Sequence, residues 1–226
     1  IYGCDSKRDA LGADNEIRVI CSEMDRNNIE LFLKSIFNDT LYTPEPEPYY
    51  FLKFSNPDTY SRLKNQTNIV VAAIERDITN SGLDLVKKIL PEQQFKATEL
   101  NDPLILAKDV HSKNQLFMVI NSNSMDSLME FVDLKRNFIR KHFNDQFIFR
   151  QGRFLFSKNN YNALRDSLKE QFGWNLKLPW GWEIIKKVPE SNFVWLGKEM
   201  PYQWIGVSWV NGNIVEDELS IGNYIW

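Results

Sequence analysis

Histidine is scarce in this sequence: only His111 and His142 occur in 226 residues. Neither stands in a metal-ligand pattern, and no HExxH pair is present, which removes the zinc-hydrolase signature. Two cysteines, Cys4 and Cys21, cannot build a disulfide-rich scaffold or a multi-cysteine zinc site. The ten glycines are scattered singly. They form no Gly-rich phosphate loop, and no G-x-S-x-G nucleophile elbow occurs. No apolar run approaches the roughly 20 residues of a membrane-spanning helix; the most apolar stretch, NIVVAAI, is far shorter. A net charge of −3 with a pI near 5.6 offers no broad basic face to offset phosphate repulsion, so no nucleic-acid partner is expected. No cofactor and no metal are expected from these patterns.

What the chain does have is length enough to bury a core and an aromatic share of 13%. All seven tryptophans fall between Trp174 and Trp226.

The opening, IYGCDSKRDALGADNEI, reads as a location signal. Ile1-Tyr2-Gly3-Cys4 has the form of a bacterial lipobox: a branched apolar residue, a tolerated residue, a small residue, then cysteine. In such signals the cysteine sulfur takes a diacylglycerol and the signal peptide is cut away before it. Two or three acyl chains, at about 0.8 kcal/mol per buried methylene, hold a protein to a membrane almost permanently. Asp5 to Asn15 is polar and has little to bury, so a flexible tether is expected there. The other reading of the four residues is a chance match at a fragment end. The chain begins with Ile1 and ends on the apolar run GNYIW, so further residues are expected on both sides. Cys21 lies in a β-branched run and reads as a small buried hydrophobe; a Cys4–Cys21 disulfide is the alternative in an oxidising envelope.

Periodicity gives the organisation. Glu16 to Ser22 predicts a first strand. Ile29, Phe32, Leu33, Ile36 and Phe37 fall at helical spacing, with Asp25 as N-cap. TPEPEPYY predicts an extended polyproline II connector, because each proline pushes the preceding residue out of the helical region. PYYFLKFS predicts a second strand, and Asn56 to Lys64 a short helix with Pro57 in its first turn. NIVVAAIE, apolar on both faces, predicts a buried central strand. SGLDLVKKIL predicts a helix closed by Pro91. Two strands joined at His111 to Asn114 follow, then a long helix over about Ser124 to Phe143. FIFRQGRFLF fits a strand, a continued helix or a bend at Gly152. Asn159 to Phe172 predicts a helix stopped by Gly173. Beyond it WNLKLP, WEIIKKV, NFVWLGKE and YQWIGVSWV predict strands of a meander.

The expected fold class is α+β: a mixed sheet with helices in the first two thirds, followed by an aromatic-rich antiparallel β-meander. The expected segments are 1–15 as lipobox remnant and tether, 16–173 as the α+β region, and 174–226 as the aromatic region, packed on it and continuing past the last residue.

The lipobox cysteine, LYTPEPE after the first helix, and FGWNLKLPWGWEIIKKVPESNFVWLGKEMP together resemble an uncharacterised lipoprotein family of the Bacteroidota, a domain of unknown function. The resemblance implies an exported protein held to the membrane through an N-terminal lipid anchor on Cys4. It supplies no activity and no catalytic residues.

Candidate chemistry is thin. His111 is placed at a hairpin tip and His142 in the last turn of the long helix. Glu183, Glu199, Glu216, Asp217 and Glu218 are the acids near the aromatic region that could serve a glycosidase pair, which needs two carboxyls about 5 to 9.5 Å apart. The tryptophans have two readings, filling of a thin core or a platform for sugar faces. Trp204 and Trp209 differ by five positions, so a regular strand sends them to opposite faces. Trp209 then belongs to the core, and Trp204 faces out with Tyr202. Trp180 sits in a turn and is the more exposed of the Trp180/Trp182 pair. Trp180, Tyr202 and Trp204 are therefore the candidate ligand-binding residues. The leading expectation is a non-enzymatic envelope protein that binds or scaffolds another envelope component. The alternatives are a glycan- or peptidoglycan-binding module, and an enzyme whose site is completed by residues beyond Trp226.

Overall fold

The computed structural model describes residues 7–42, 45–100, 102–156, 161–200 and 202–210. The lipobox residues, Glu216 to Glu218 and Trp226 lie outside them. The chain divides into two compact units, Ile1–Gln151 and Gly152–Trp226. The composition shift at Gly173 falls inside the second unit. No described helix is long and apolar enough to cross a membrane.

In the first unit, β1 (Glu16–Ile20) leads into α1 (Arg26–Ile36). A small hairpin follows, β2 (Thr40–Tyr42) with β3 (Pro46–Pro48), and then β4 (Phe51–Ser55). The polyproline reading is corrected here: Pro46 and Pro48 sit in a two-stranded antiparallel ladder. Proline is compatible with a strand at a sheet edge, where its missing N–H breaks no ladder. A 3-10 turn at Pro57–Thr59 and α2 (Tyr60–Leu63) connect to β5 (Asn68–Ala73). Two helices come next, α3 (Ser81–Ile89) and α4 (Glu92–Leu100). The antiparallel pair β6 (Leu104–Lys108) and β7 (Leu116–Asn121) is joined through His111 to Asn114 as expected. The helix α5 (Met125–Phe156) follows. FIFRQGR is therefore a continuation of the long helix, and His142 lies in its middle rather than in a last turn.

The sheet order is β4-β1-β5-β7-β6, with the first four strands parallel and β6 antiparallel at the edge. The predicted central strand, β5, is the middle one, and all six of its residues are buried. Alternation explains why. Val70, Ala72 and Ile74 join a cluster with Phe32, Leu33 and Phe143 from α1 and α5 on one face. Ile69, Val71 and Ala73 join Leu83 and Val86 of α3 on the other. A strand covered on both faces is apolar along its length; Asn68, buried at its start, donates its amide to Asp14 O and Glu16 O.

Residues Arg8 to Asn15 correct the tether expectation. Ala10 N–H donates to Lys113 O at 2.9 Å, Thr67 N–H to Leu11 O at 2.8 Å, and Lys113 N–H to Arg8 O at 2.9 Å. Arg150 and Gln151 both bind the Asp14 carboxylate. The segment is held through its backbone and two acids, Asp14 and Asp9, the latter accepting from Asn114 Nδ2 at 2.9 Å, which composition cannot register.

In the second unit, α6 (Tyr161–Phe172) ends at Gly173, whose φ of +79° is the left-handed cap that glycine adopts without cost. Trp174 to Leu178 has no ladder partner among the described residues, so the strand predicted there is not found among them. Its side chains still reach a core built on Leu168, Leu178, Val194 and Leu196. The three strands β8 (Glu183–Val188), β9 (Phe193–Lys198) and β10 (Gln203–Ser208) form an antiparallel sheet in the order β10-β9-β8. The fold is mixed α+β, with the aromatic-rich meander at the end of the chain.

Candidate functional site

Two places are candidates, one in each unit. In the first, strand order reverses at β1: β4 lies on one side of it and β5 on the other. Open sheets with helices on both faces bind ligands at such a reversal, outside the carboxyl ends of the strands. Here that position is filled by the chain itself. Asp25, fully buried, accepts hydrogen bonds from Ile74 N–H at 3.1 Å, Glu75 N–H at 2.8 Å, Asn80 Nδ2 at 2.8 Å and the Ser22 hydroxyl at 3.1 Å. Asp25 occupies the N-cap position expected of it, yet its side chain makes no cap bond to α1. Asn80 caps α3 instead, accepting from Gly82 N–H and Leu83 N–H. Gly82 is packed so closely that a Cβ there would lie 3.0 Å from Ser22 N and 3.1 Å from Ala72 O. The start of α3 is thus seated directly on the ends of β1 and β5.

Cavities flank this lock. One, of about 220 Å³, is lined by Cys21, Glu23, Arg26, Phe54, Ser55 and Asn56. Cys21 carries a free thiol, and burial pushes it up to about 12, so it is no thiolate nucleophile at neutral pH. Another, of about 340 Å³, opens between Thr98 and Glu99 of α4 and Ser127, Phe131 and Leu134 of α5. Beside Glu99, Arg76 donates to Asn121 Oδ1 at 2.8 Å and Ser122 O at 2.6 Å, and pairs with Glu99 at 3.3 Å.

His111 has a packing role. Its Nε2 lies 2.7 Å from the Tyr60 hydroxyl, and its ring stands edge-on to Tyr60 and Phe117. Burial raises Tyr60 to about 12, so the hydroxyl stays protonated at neutral pH. Burial first, then Lys64 and Lys7, hold the imidazole below its ordinary value of 6.5. Because the unfolded chain takes up this proton first, stability is full above pH 6.5 and declines as pH falls through the lowered value. Urea titrations at pH 7.5 and pH 5 are expected to show that decline, and His111→Gln is expected to reduce it. The second histidine, His142, lies tilted against the Phe138 ring, centroids 4.2 Å apart, and bonds that residue's carbonyl.

The second candidate is the outer face of the three-stranded sheet. Val194 and Leu196 of β9 point to the core, so Trp195 between them points out. On β10, Ile205 and Val207 pack inward and Trp204 faces solvent. Trp204 is 62% exposed and Tyr202 is 77% exposed, with ring centroids 6.4 Å apart. Trp195 meets Trp204 edge-on at 6.1 Å. Opposite Trp204 in the ladder is Gly197, and an added Cβ there would press on Ile185 and come within 2.9 Å of the Trp204 ring. Glycine at that position is the space in which the indole lies. Ile185, turned outward at an irregularity in β8, extends the same exposed apolar face.

The structure therefore brings Tyr202 and Trp204 together and adds Trp195, which the sequence reading left among strand residues. The alternation V-W-L within NFVWL, with its apolar neighbours inward, is the signal for it. Trp180 is also exposed, and the Lys198 ammonium lies 5.7 Å from its ring centre. Trp174, Trp182 and Trp209 follow the other reading and pack with the core, Trp174 against Trp209 at 5.4 Å. Of the acids, Glu183 and Glu199 are exposed, while Glu216, Asp217 and Glu218 lie outside the described residues.

Comparison with curated proteins and with solved structures returns no match. A family model does match, over residues 10–155, which takes in the five-stranded sheet and α1 through nearly all of α5. The chain belongs to that family, Domain of unknown function (DUF8532).

Proposed function

We propose that this chain is a non-catalytic binding protein of the bacterial cell envelope, anchored by lipid on Cys4, with the outer face of its C-terminal sheet as a glycan-binding surface. The observation that carries the reading is the solvent-facing cluster of Trp195, Tyr202 and Trp204 on one sheet face. Large apolar side chains gathered at a surface mark an interaction site. Indole and phenol rings match the apolar faces of pyranose sugars while leaving hydroxyls in water. The family matched carries no activity in its description, and the sheet reversal in the first unit is occupied by Asp25 and Asn80 rather than open. Membrane attachment rests on the lipobox sequence alone. A chain tied down from Arg8 onward would stand close to the lipid surface.

Insoluble peptidoglycan is expected to pull the purified chain from solution. Trp204→Ala is expected to weaken that retention about tenfold, through loss of about 1.4 kcal/mol of ring stacking. Retention equal to wild type in the Trp204→Ala and Tyr202→Ala variants would remove this face from the function. Mass spectrometry of the membrane fraction, from cells expressing the full reading frame, is expected to find Cys4 acylated. An unmodified Cys4 overturns the anchor.

A further inference from the structure

We propose that the chain pairs with a second copy of itself through the exposed face of α5, the two helices running antiparallel about a two-fold axis near Arg136. Leu128, Val132, Ile139 and Phe143 fix the inner face of this helix in the core. The outer face then carries Leu134, 83% exposed, and Phe138, 53% exposed, on successive turns. Single exposed apolar residues are common on protein surfaces. These two are adjacent, and Leu134 and Phe131 form the apolar wall of the cavity of about 340 Å³. A knob on α5 and a hollow between α4 and α5 thus stand side by side.

Charge identifies the occupant. Met125 to Asp133 holds Asp126, Glu130 and Asp133 with no base, and Leu134 to His142 holds Lys135, Arg136, Arg140 and Lys141 with no acid. The helix dipole favours acids in the first turn. It does not account for bases in mid-helix, since α5 continues to Phe156; within the chain Arg136 pairs with Asp133 and Arg140 with Asp39, while Lys135 and Lys141 extend the basic stretch. A second copy laid antiparallel reverses the pattern onto itself. Phe138 of each copy then reaches the hollow beside Leu134 of the other, and Glu130 of each meets Lys141 of the other. Such an isologous contact uses one patch twice. Lys141 also bonds Asp145 within its own helix, an exposed i,i+4 pair that yields readily. A single helix pair is a small interface, so the complex is reversible and concentration-dependent.

Sedimentation equilibrium of the purified chain, up to about 1 mM, tests this. A monomer–dimer equilibrium is expected, abolished by Phe138→Glu, with circular dichroism showing that the variant is folded. Glu130→Lys and Lys141→Glu are each expected to weaken pairing about fivefold, because each sets two like-charge contacts. An equimolar mixture of these two variants is expected to regain wild-type association, since both contacts then join opposite charges. A monomer at every concentration overturns the proposal. So does association indifferent to Phe138→Glu, or a mixture that pairs no better than either variant alone.

Discussion

Asp25→Ala is expected to lower the stability of the protein by about 4 kcal/mol, visible as a displaced urea midpoint and a melting temperature lower by about 12 °C. Four hydrogen bonds converge on this carboxylate, and all four donors come from within the fold. Alanine strands the amides of Ile74 and Glu75 and one donor of Asn80. Each unsatisfied buried donor costs about 1 to 3 kcal/mol, and water entering the small space recovers part of that. Asn80 cannot turn its amide round to compensate, because its oxygen already accepts from Gly82 N–H and Leu83 N–H. The same geometry grades the variants. In Asp25→Asn the remaining oxygen serves Ile74 and Glu75, but the new amide nitrogen faces the Asn80 amide nitrogen. About half the loss is expected. An Asp25→Asn variant as stable as wild type would mean that shape rather than hydrogen bonding holds this junction.

Phe143→Ala is the other large effect, again about 4 kcal/mol by urea denaturation. The ring is 1% exposed and stands edge-on to Phe37 at 4.8 Å and Tyr50 at 6.2 Å. Its removal leaves a cavity between α5 and the end of α1, and it forfeits aromatic pairing worth about 1 kcal/mol beyond the area term. Leu128 and Val132 continue to hold the start of α5. Amide exchange is therefore expected to quicken around Ile139 to Phe147 more than around Leu128. Tyr50 is anchored separately through Asn144 Oδ1 at 3.0 Å, so substitution by leucine, which keeps most of the volume, is expected to recover more than half of the loss.

The tryptophans show how far sequence goes and where it stops. The five-residue offset of Trp204 and Trp209 fixes them on opposite sides of a strand, since the period of a strand is two. The structure has Trp204 exposed and Trp209 in contact with the core. Trp195 was equally readable from its inward neighbours. That Trp195, Tyr202 and Trp204 adjoin depends on the register of β9 against β10, which places Gly197 opposite Trp204. Register belongs to two strands at once. WNLKLP alternates as well, but among the described residues no strand pairs with it.

Sequence by itself determined what depends on neighbours along the chain. It fixed the faces of α1, the doubly apolar β5, the hairpin at His111 to Asn114, the stop at Gly173 and the mixed α+β class, because burial imposes a period that residues close in sequence must obey. Tertiary structure alone decided the pairing of Pro46 to Pro48, the stitching of Arg8 to Asn15, the persistence of α5 through FIFRQGR, and the use of Asp25 to lock Ile74, Glu75 and Asn80. The Asp25 lock and the stitching of the opening segment join groups 49 to 140 positions apart, while Pro46 to Pro48 pairs across a short turn with Thr40 to Tyr42. A hydrogen-bond donor has no direction until the fold supplies its acceptor.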